Sequence, residues 1–299
     1  MTPDAFREAK AFADTLKTSA VLVVKDGKTV AEWGDTAKKL NVLSIRKSFL
    51  SALYGIHAAG GAIDLERTLG ELGIDDNEPS LTAAEKTATI RMLLQSRSGV
   101  YHPALFEPPE LKASRPPRGS HPPGTFFYYN NWDFNALLTI FEKLTGRRIF
   151  EEFAARIAGP LGMRDFEIAD GQYLTGPDSI HPAYPFRMTA RDLARFGEMY
   201  RNGGGGIVPA EWVRESTTAY SNAAGTPFEA FGGYGYMWWV EEGSFSAFGI
   251  GGHRIMVVPG EKLVIVHRVA TETPDSTAVS DGDLQKLCRM IRDAARTRL

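Results

Sequence analysis

Ser44, Lys47 and the run Tyr128-Tyr129-Asn130-Asn131 have the residue types and spacing for acyl-transfer chemistry. A serine hydroxyl is a poor nucleophile until a base takes its proton, and a lysine becomes such a base when burial or nearby cations lower its pKa. Ser44 and Lys47 stand three residues apart, so on a helix they are neighbours one turn apart. The stretch Pro123-Gly124-Thr125-Phe126-Phe127-Tyr128-Tyr129-Asn130-Asn131-Trp132 reads as a loop entering a helix. It carries Tyr-x-Asn in two registers, Tyr128/Asn130 and Tyr129/Asn131. A phenol beside a lysine can relay protons, as phenolate or hydrogen-bonded base, and an amide can orient lysine and substrate. Each feature also has a plainer use: Ser44 as a helix cap, Lys47 as a solvated side chain, the tyrosines as loop anchors.

These residues need elements to hold them. A helix is expected over Ser44–Ala59, ended by Gly60-Gly61, with Ile45, Phe49, Leu53 and Ile56 as its apolar stripe and Ser44, Lys47, Ser51 and Tyr54 opposite. At its start the Ser44 N–H is among the unpaired donors, where an oxyanion could be held. Residues 3–17 place Phe6, Ala9, Ala13 and Leu16 at helical spacing. Val21–Val24 and Thr29–Trp33 flank Asp26-Gly27, a dipeptide suited to a type I′ hairpin turn. Arg254–Val258 and Leu263–Val269 flank a second turn, and a last helix aligns Leu284, Leu287, Cys288 and Ile291. Between the ends, helices are expected at Ile90–Gln95, Trp132–Leu144, Ile149–Ile157 and Ala190–Tyr200. Residues 101–125 and 202–206 read as surface loops. The simplest packing is an α/β (α+β) fold: an antiparallel sheet flanked by N- and C-terminal helices, with a helical domain inserted between. That divides the chain into 1–43 with 230–299, and 44–229, placing Ser44 at the seam.

Composition excludes several functions. Among 299 residues, 34 Lys and Arg against 36 Asp and Glu leave a net charge of −2, with no basic excess for nucleic acid. The single Cys288 permits no internal disulfide, and six scattered His form no zinc-type spacing, so no metal and no cofactor are expected. No run of about 18 apolar residues marks a membrane span, and no basic-then-apolar start marks a signal peptide. As given, the chain is expected in the cytoplasm; a chain trimmed of a leader would be expected in the periplasm. Nothing in the sequence sets an oligomeric state.

Taken in order, Ser44-x-x-Lys47, the Tyr-x-Asn segment and a late Gly-rich strand resemble the penicillin-recognising serine hydrolases. That superfamily includes class C β-lactamases, D-alanyl-D-alanine carboxypeptidases, family VIII esterases and nylon-oligomer (aminohexanoate-dimer) hydrolases. Ile90–Gly99 is similar to its LLxHxSG stretch, Pro123–Asn131 to PGTxFxYSN, Met188–Gly197 to TARDLARFG, and Tyr234–Trp239 to YGYGWW. The matches span residues 20–270 and imply the β-lactamase/transpeptidase-like fold.

The resemblance selects Tyr129 and Asn131 as the functional register and makes Ser44 the nucleophile. It implies an acyl-enzyme hydrolysis of a small ester or amide, with Lys47 and Tyr129 as the proton-transfer groups. Two versions stay open: Lys47 neutral as base, or a phenolate Tyr129 that tolerates a cationic Lys47. The Ser44 and Ile250 amides would hold the oxyanion, with Gly249 allowing close approach. Asn131 would orient substrate. Trp132 and Trp238, with Tyr236 and Trp239, could wall the pocket or simply pack, and His253 could approach the leaving group or pack at a strand start. Two departures stand out. Ala247 replaces the cation of the Lys-Thr-Gly motif, which puts β-lactam or peptide carboxylate recognition in doubt and suits a mostly neutral acyl substrate. Arg46, inside Ser-x-x-Lys, would lower the Lys47 pKa if buried and do little if solvated. The alternatives are a D-amino-acid peptidase or β-lactamase, and, in another class, a non-catalytic ligand-binding or sensor protein on the same scaffold.

Overall fold

The computed structural model describes residues 3–272 and 278–296. Its centre is an eight-stranded antiparallel sheet fed by both ends of the chain. The Asp26-Gly27 turn, both residues with positive φ, joins β1 (Thr18–Lys25) to β2 (Lys28–Gly34), as the dipeptide requires. The short strands β3 (Leu40–Asn41), β4 (Leu174–Gly176), β5 (Ser179–Ala183) and β6 (Arg187–Met188) form two small ribbons, β3–β6 and β4–β5. The remaining strands are β7 (Ser221–Asn222), β8 (Gly233–Tyr234), β9 (Trp239–Glu241), β10 (Ser244–Gly249), β11 (His253–Val258) and β12 (Leu263–Val269). The main sheet runs β2-β1-β12-β11-β10-β9-β8-β7, so the N-terminal hairpin docks beside the last strand, Val24 opposite Val264.

Strands β11 and β12 are buried at every residue, so both sheet faces must be covered. The helix α1 (Arg7–Asp14) packs against the closing helix, Asp281–Arg296, which buries Leu284, Leu287, Cys288 and Ile291. On the other face lies Ala190–Arg201, whose Gly197 approaches Val264 and Ile255 so closely that a Cβ there would meet Val264 at 2.6 Å.

Between these helices, α2 (Arg46–Ala59) forms the axis of the helical part, buried continuously from Arg46 to Ile56. Both its apolar stripe and its polar side are therefore enclosed, because further helices pack around it. Directly on it lie α6 (Asn131–Thr145), α7 (Ile149–Phe153) and α9 (Ala210–Ser216), with α8 (Ala190–Arg201) reaching it through Phe196 on Phe49; the other helices are α3 (Leu69–Leu72), α4 (Ile90–Leu94), α5 (Pro109–Ser114) and, across the sheet, the closing α10 (Asp281–Arg296). At Gly55 the Trp212 ring of α9 lies where a Cβ would be, at 2.3 Å, so only glycine lets the two helices meet. Residues 101–125 correct the surface-loop expectation: Tyr101, His102 and Leu111 are buried, and α5 forms inside the stretch. Among the described residues, no helix is long and apolar enough to cross a membrane.

Candidate active site

The Ser44 segment is held from behind. Strand β3 pairs with β6, Val42 N–H donates to Phe186 O at 2.9 Å, and Leu43 N–H donates to the Asn41 side chain at 2.9 Å. These bonds force Leu43 to φ +50°, a left-handed conformation costly for a γ-branched residue. The chain then turns through one 3-10 turn into α2. Ser44 is left half-buried at the cavity mouth while Lys47, one turn deeper, is buried.

The Tyr-Asn segment is clamped by the residues before it. Ser96, itself at φ +55°, donates its hydroxyl to Tyr128 O at 2.6 Å and accepts from Asn130 N–H at 2.9 Å. Ser98 donates to buried Asp133 at 2.5 Å, and Asn130 donates to Val100 O at 2.7 Å and Asp133 at 2.9 Å. Asn130 also caps α6, accepting from Trp132 N–H. With the backbone so fixed, Tyr129 points toward Lys47, whereas the Tyr128 hydroxyl donates away to Leu111 O at 2.7 Å. Asn131 starts α6 and faces the cavity, its Nδ2 without a hydrogen-bond partner among the described residues.

Lys47 Nζ lies 2.9 Å from Ser44 Oγ and 2.6 Å from Tyr129 Oη. It also sits over the Tyr129 and Phe134 rings, at 4.2 and 4.3 Å from their centroids. Burial first, and the Arg46 guanidinium second, hold the Lys47 pKa well below that of an ordinary lysine. Burial pushes the Tyr129 phenol up to about 12, against the opposing pull of Ser44 and Arg46. Both shifts move the pair toward an unprotonated amine beside a protonated phenol. The amine can then accept the Ser44 proton and the phenol can relay one onward.

These groups open into a cavity of about 480 Å³. Ser44, Tyr129 and Asn131 line it together with apolar side chains, among them Phe106, Leu111, Phe228, Trp239, Phe248 and Ile250. Arg46, Glu107, Glu110 and Asp281 add charge. Trp239 stacks on Tyr129 at 5.4 Å. Among the described residues, no group of three or more His, Cys, Asp or Glu could hold a metal ion.

The sequence profile of the family described as Beta-lactamase matches residues 8–287. The chain belongs to the beta-lactamase family. Two curated proteins are similar to it. A D-aminopeptidase of Cereibacter sphaeroides (strain KD131) is 29% identical over 190 residues, covering 54% of this chain and 33% of that protein. A 6-aminohexanoate-dimer hydrolase of Paenarthrobacter ureafaciens is 32% identical over 164 residues, 50% of this chain and 41% of that protein. The matches thus span about a third to two-fifths of those relatives' lengths. Among solved structures, the octameric penicillin-binding protein homologue from Pyrococcus abyssi superposes with TM-score 0.69 at 19% identity, over 97% of this chain and 77% of that one. EstCE1, a hydrolase with promiscuous acyltransferase activity, gives 0.69 at 16% identity, over 98% of both chains. These two establish the fold, the β-lactamase/transpeptidase-like arrangement.

Within this beta-lactamase-family chain, two of the resembling segments are scaffold. Thr189 caps α8 by accepting from Asp192 N–H, and the buried Asp192 carboxylate accepts the backbone N–H groups of Arg164, Asp165 and Phe166 at 3.2, 3.0 and 2.9 Å. Ser96 and Ser98 serve the Tyr-Asn loop as described.

Four sequence assignments are corrected. Trp132 does not line the cavity; its ring is fully buried and its Nε1–H donates to Asp76 at 2.7 Å. Trp238 packs against Phe196 and Tyr200 instead, because successive strand-like residues point oppositely, and the pocket wall is its neighbour Trp239. His253 is buried beside Arg268, whose Nε–H donates to His253 Nδ1 at 3.1 Å, and burial and that cation press its pKa to about 2. It is thus a neutral brace: Arg268 also donates to Leu40 O and Asn41 O, directly behind the Ser44 turn. Gly249 does not line the cavity but abuts that turn, where a Cβ would meet Val42 O at 2.7 Å. Ile250, one residue on, is exposed into the cavity. Ala247 is buried on β10 and offers no cation. Glu107, Leu111 and Phe228 escaped the sequence reading, since a Pro-rich segment gives no periodic signal from which to infer a wall.

Proposed function

We propose that the chain is a serine hydrolase that cleaves small amides or esters through an acyl-enzyme. The observation that carries this reading is the buried Lys47 amine within 2.9 Å of Ser44 Oγ and 2.6 Å of Tyr129 Oη. Neutral Lys47 takes the Ser44 proton as Oγ bonds to the substrate carbonyl carbon. The Ser44 and Ile250 amides receive the oxyanion. As the tetrahedral species collapses, the bond to the leaving group breaks and a proton passes to it from Lys47 by way of Tyr129. Water then attacks the ester, Lys47 again accepting the proton, and Ser44 is released. Asn131, with its unpartnered amide, orients the substrate. A high phenol pKa favours Lys47 over a Tyr129 phenolate as the base. The names of the two similar proteins, a D-aminopeptidase and a 6-aminohexanoate-dimer hydrolase, favour amides among the bonds cleaved.

A panel of p-nitrophenyl acyl esters, cephalosporins and short ω-amino-acid oligomers, run on wild type and Ser44→Ala, tests this. Turnover of an ester or amide that vanishes in Ser44→Ala supports it. Fast cephalosporin turnover would move the assignment to a β-lactamase, and no turnover by folded protein would favour a binding protein.

A further inference from the structure

Arg46 is buried to 1% exposure yet lines the cavity beside Ser44. Its guanidinium lies between the Phe106 and Tyr184 rings, 5.1 and 5.0 Å from their centroids, and its Nη1 donates to Leu43 O at 3.1 Å. The Nε and Nη2 groups have no hydrogen-bond partner among the described residues. Among the described residues no acid pairs with Arg46 either: of the three acids lining the cavity, Glu107 is taken by Arg115, and neither Glu110 nor Asp281 bonds the guanidinium. A buried guanidinium without a counter-charge is a costly arrangement, and buried charges are ordinarily paired. Lowering the Lys47 pKa requires only the charge; it does not explain two free donors. Nε and Nη2 form one edge of the planar fork, the edge whose two parallel N–H groups match the two oxygens of a carboxylate. Both nitrogens are themselves buried, and Phe106, one of the two rings against the guanidinium, is 40% exposed and sits at φ +58° in the 106–111 wall.

We propose that Arg46 is the specificity-determining anchor of the cavity: its free Nε/Nη2 edge binds a carboxylate carried by the substrate whose carbonyl Ser44 attacks. The cation missing at Ala247 on β10 is then supplied from the nucleophile helix itself, and the substrate is anionic rather than neutral. This rests on the serine-hydrolase reading above.

Two matched ester pairs test it. Mono-p-nitrophenyl adipate against its methyl ester puts the acid on the acyl side; 4-acetoxybenzoate against its methyl ester puts it on the leaving group. Wild type should hydrolyse the acid of at least one pair with the higher kcat/KM, mainly through KM. Arg46→Met should cut that acid-over-ester preference by about thirtyfold or more, and Arg46→Lys should keep part of it. Equal rates within both wild-type pairs, or a preference that survives Arg46→Met, would overturn the proposal. If no ester is turned over, the hydrolase reading fails by itself, and calorimetric titration of monomethyl adipate into Ser44→Ala and Ser44→Ala/Arg46→Met decides the anchor. Binding that requires Arg46 upholds it; binding to both variants or to neither overturns it. Thermal melts confirm that each variant is folded.

Discussion

Lys47 touches Ser44 and Tyr129 but no carboxylate among the described residues, so no ion pair offsets the burial that lowers its pKa. The charged group beside it is Arg46, with Glu107 acting more weakly in the opposite sense. Only the neutral amine is a base, so kcat/KM should rise as pH passes upward through the Lys47 pKa. Replacing Arg46 by Met removes one of the two causes that depress this pKa. The acidic limb of the pH profile should therefore move to higher pH, read on a neutral p-nitrophenyl ester. The two Tyr registers separate by mutation as well. Tyr129→Phe should lower kcat about 10²-fold or more, while Tyr128→Phe, losing one buried hydrogen bond, should cost about 1 kcal/mol of stability and leave kcat near wild type. This register was legible only through the resemblance, because both Tyr-x-Asn pairs fit the local pattern equally. The bonds that fix it tie Tyr128 and Asn130 to Ser96 and Val100, residues distant in sequence.

At the scale of elements, the site depends on β10 lying hard against the nucleophile turn. Gly249→Ala would place a Cβ 2.7 Å from Val42 O, so strand and turn must part. An activity loss of about 10²-fold is expected, with a melting temperature lowered by only a few degrees; a melt that collapses with the activity would assign Gly249 to folding instead. The terminal hairpins and long helices were legible because periodicity and turn chemistry are local, as at Asp26-Gly27. The cavity wall was not. Residues 106–111 gain their role from what they pack against, and Trp239 exchanges with Trp238 on a strand parity that a run of consecutive aromatics conceals.

Across the whole molecule, the sheet assembled from both chain ends carries buried histidines behind the site. Burial holds His267 down to about 4, while its Nδ1 donates to Gly252 O at 2.6 Å. In the unfolded chain a histidine protonates near pH 6.5. The unfolded state therefore binds the proton first, and stability is lost as pH falls from about 6.5 toward 4. His267→Gln should flatten the dependence of melting temperature on pH in that window; an unchanged slope would show that His267 does not contribute. Near-zero net charge gave no reason to expect a nucleic-acid partner, but it could not reveal Arg46, because one buried cation is invisible in a sum over the chain. What the fold converges on is one serine. Mass spectrometry after fluorophosphonate treatment tests that most directly: the adduct should lie on the peptide bearing Ser44 and disappear in Ser44→Ala. Folded protein left unlabelled, or labelled elsewhere, would contradict it.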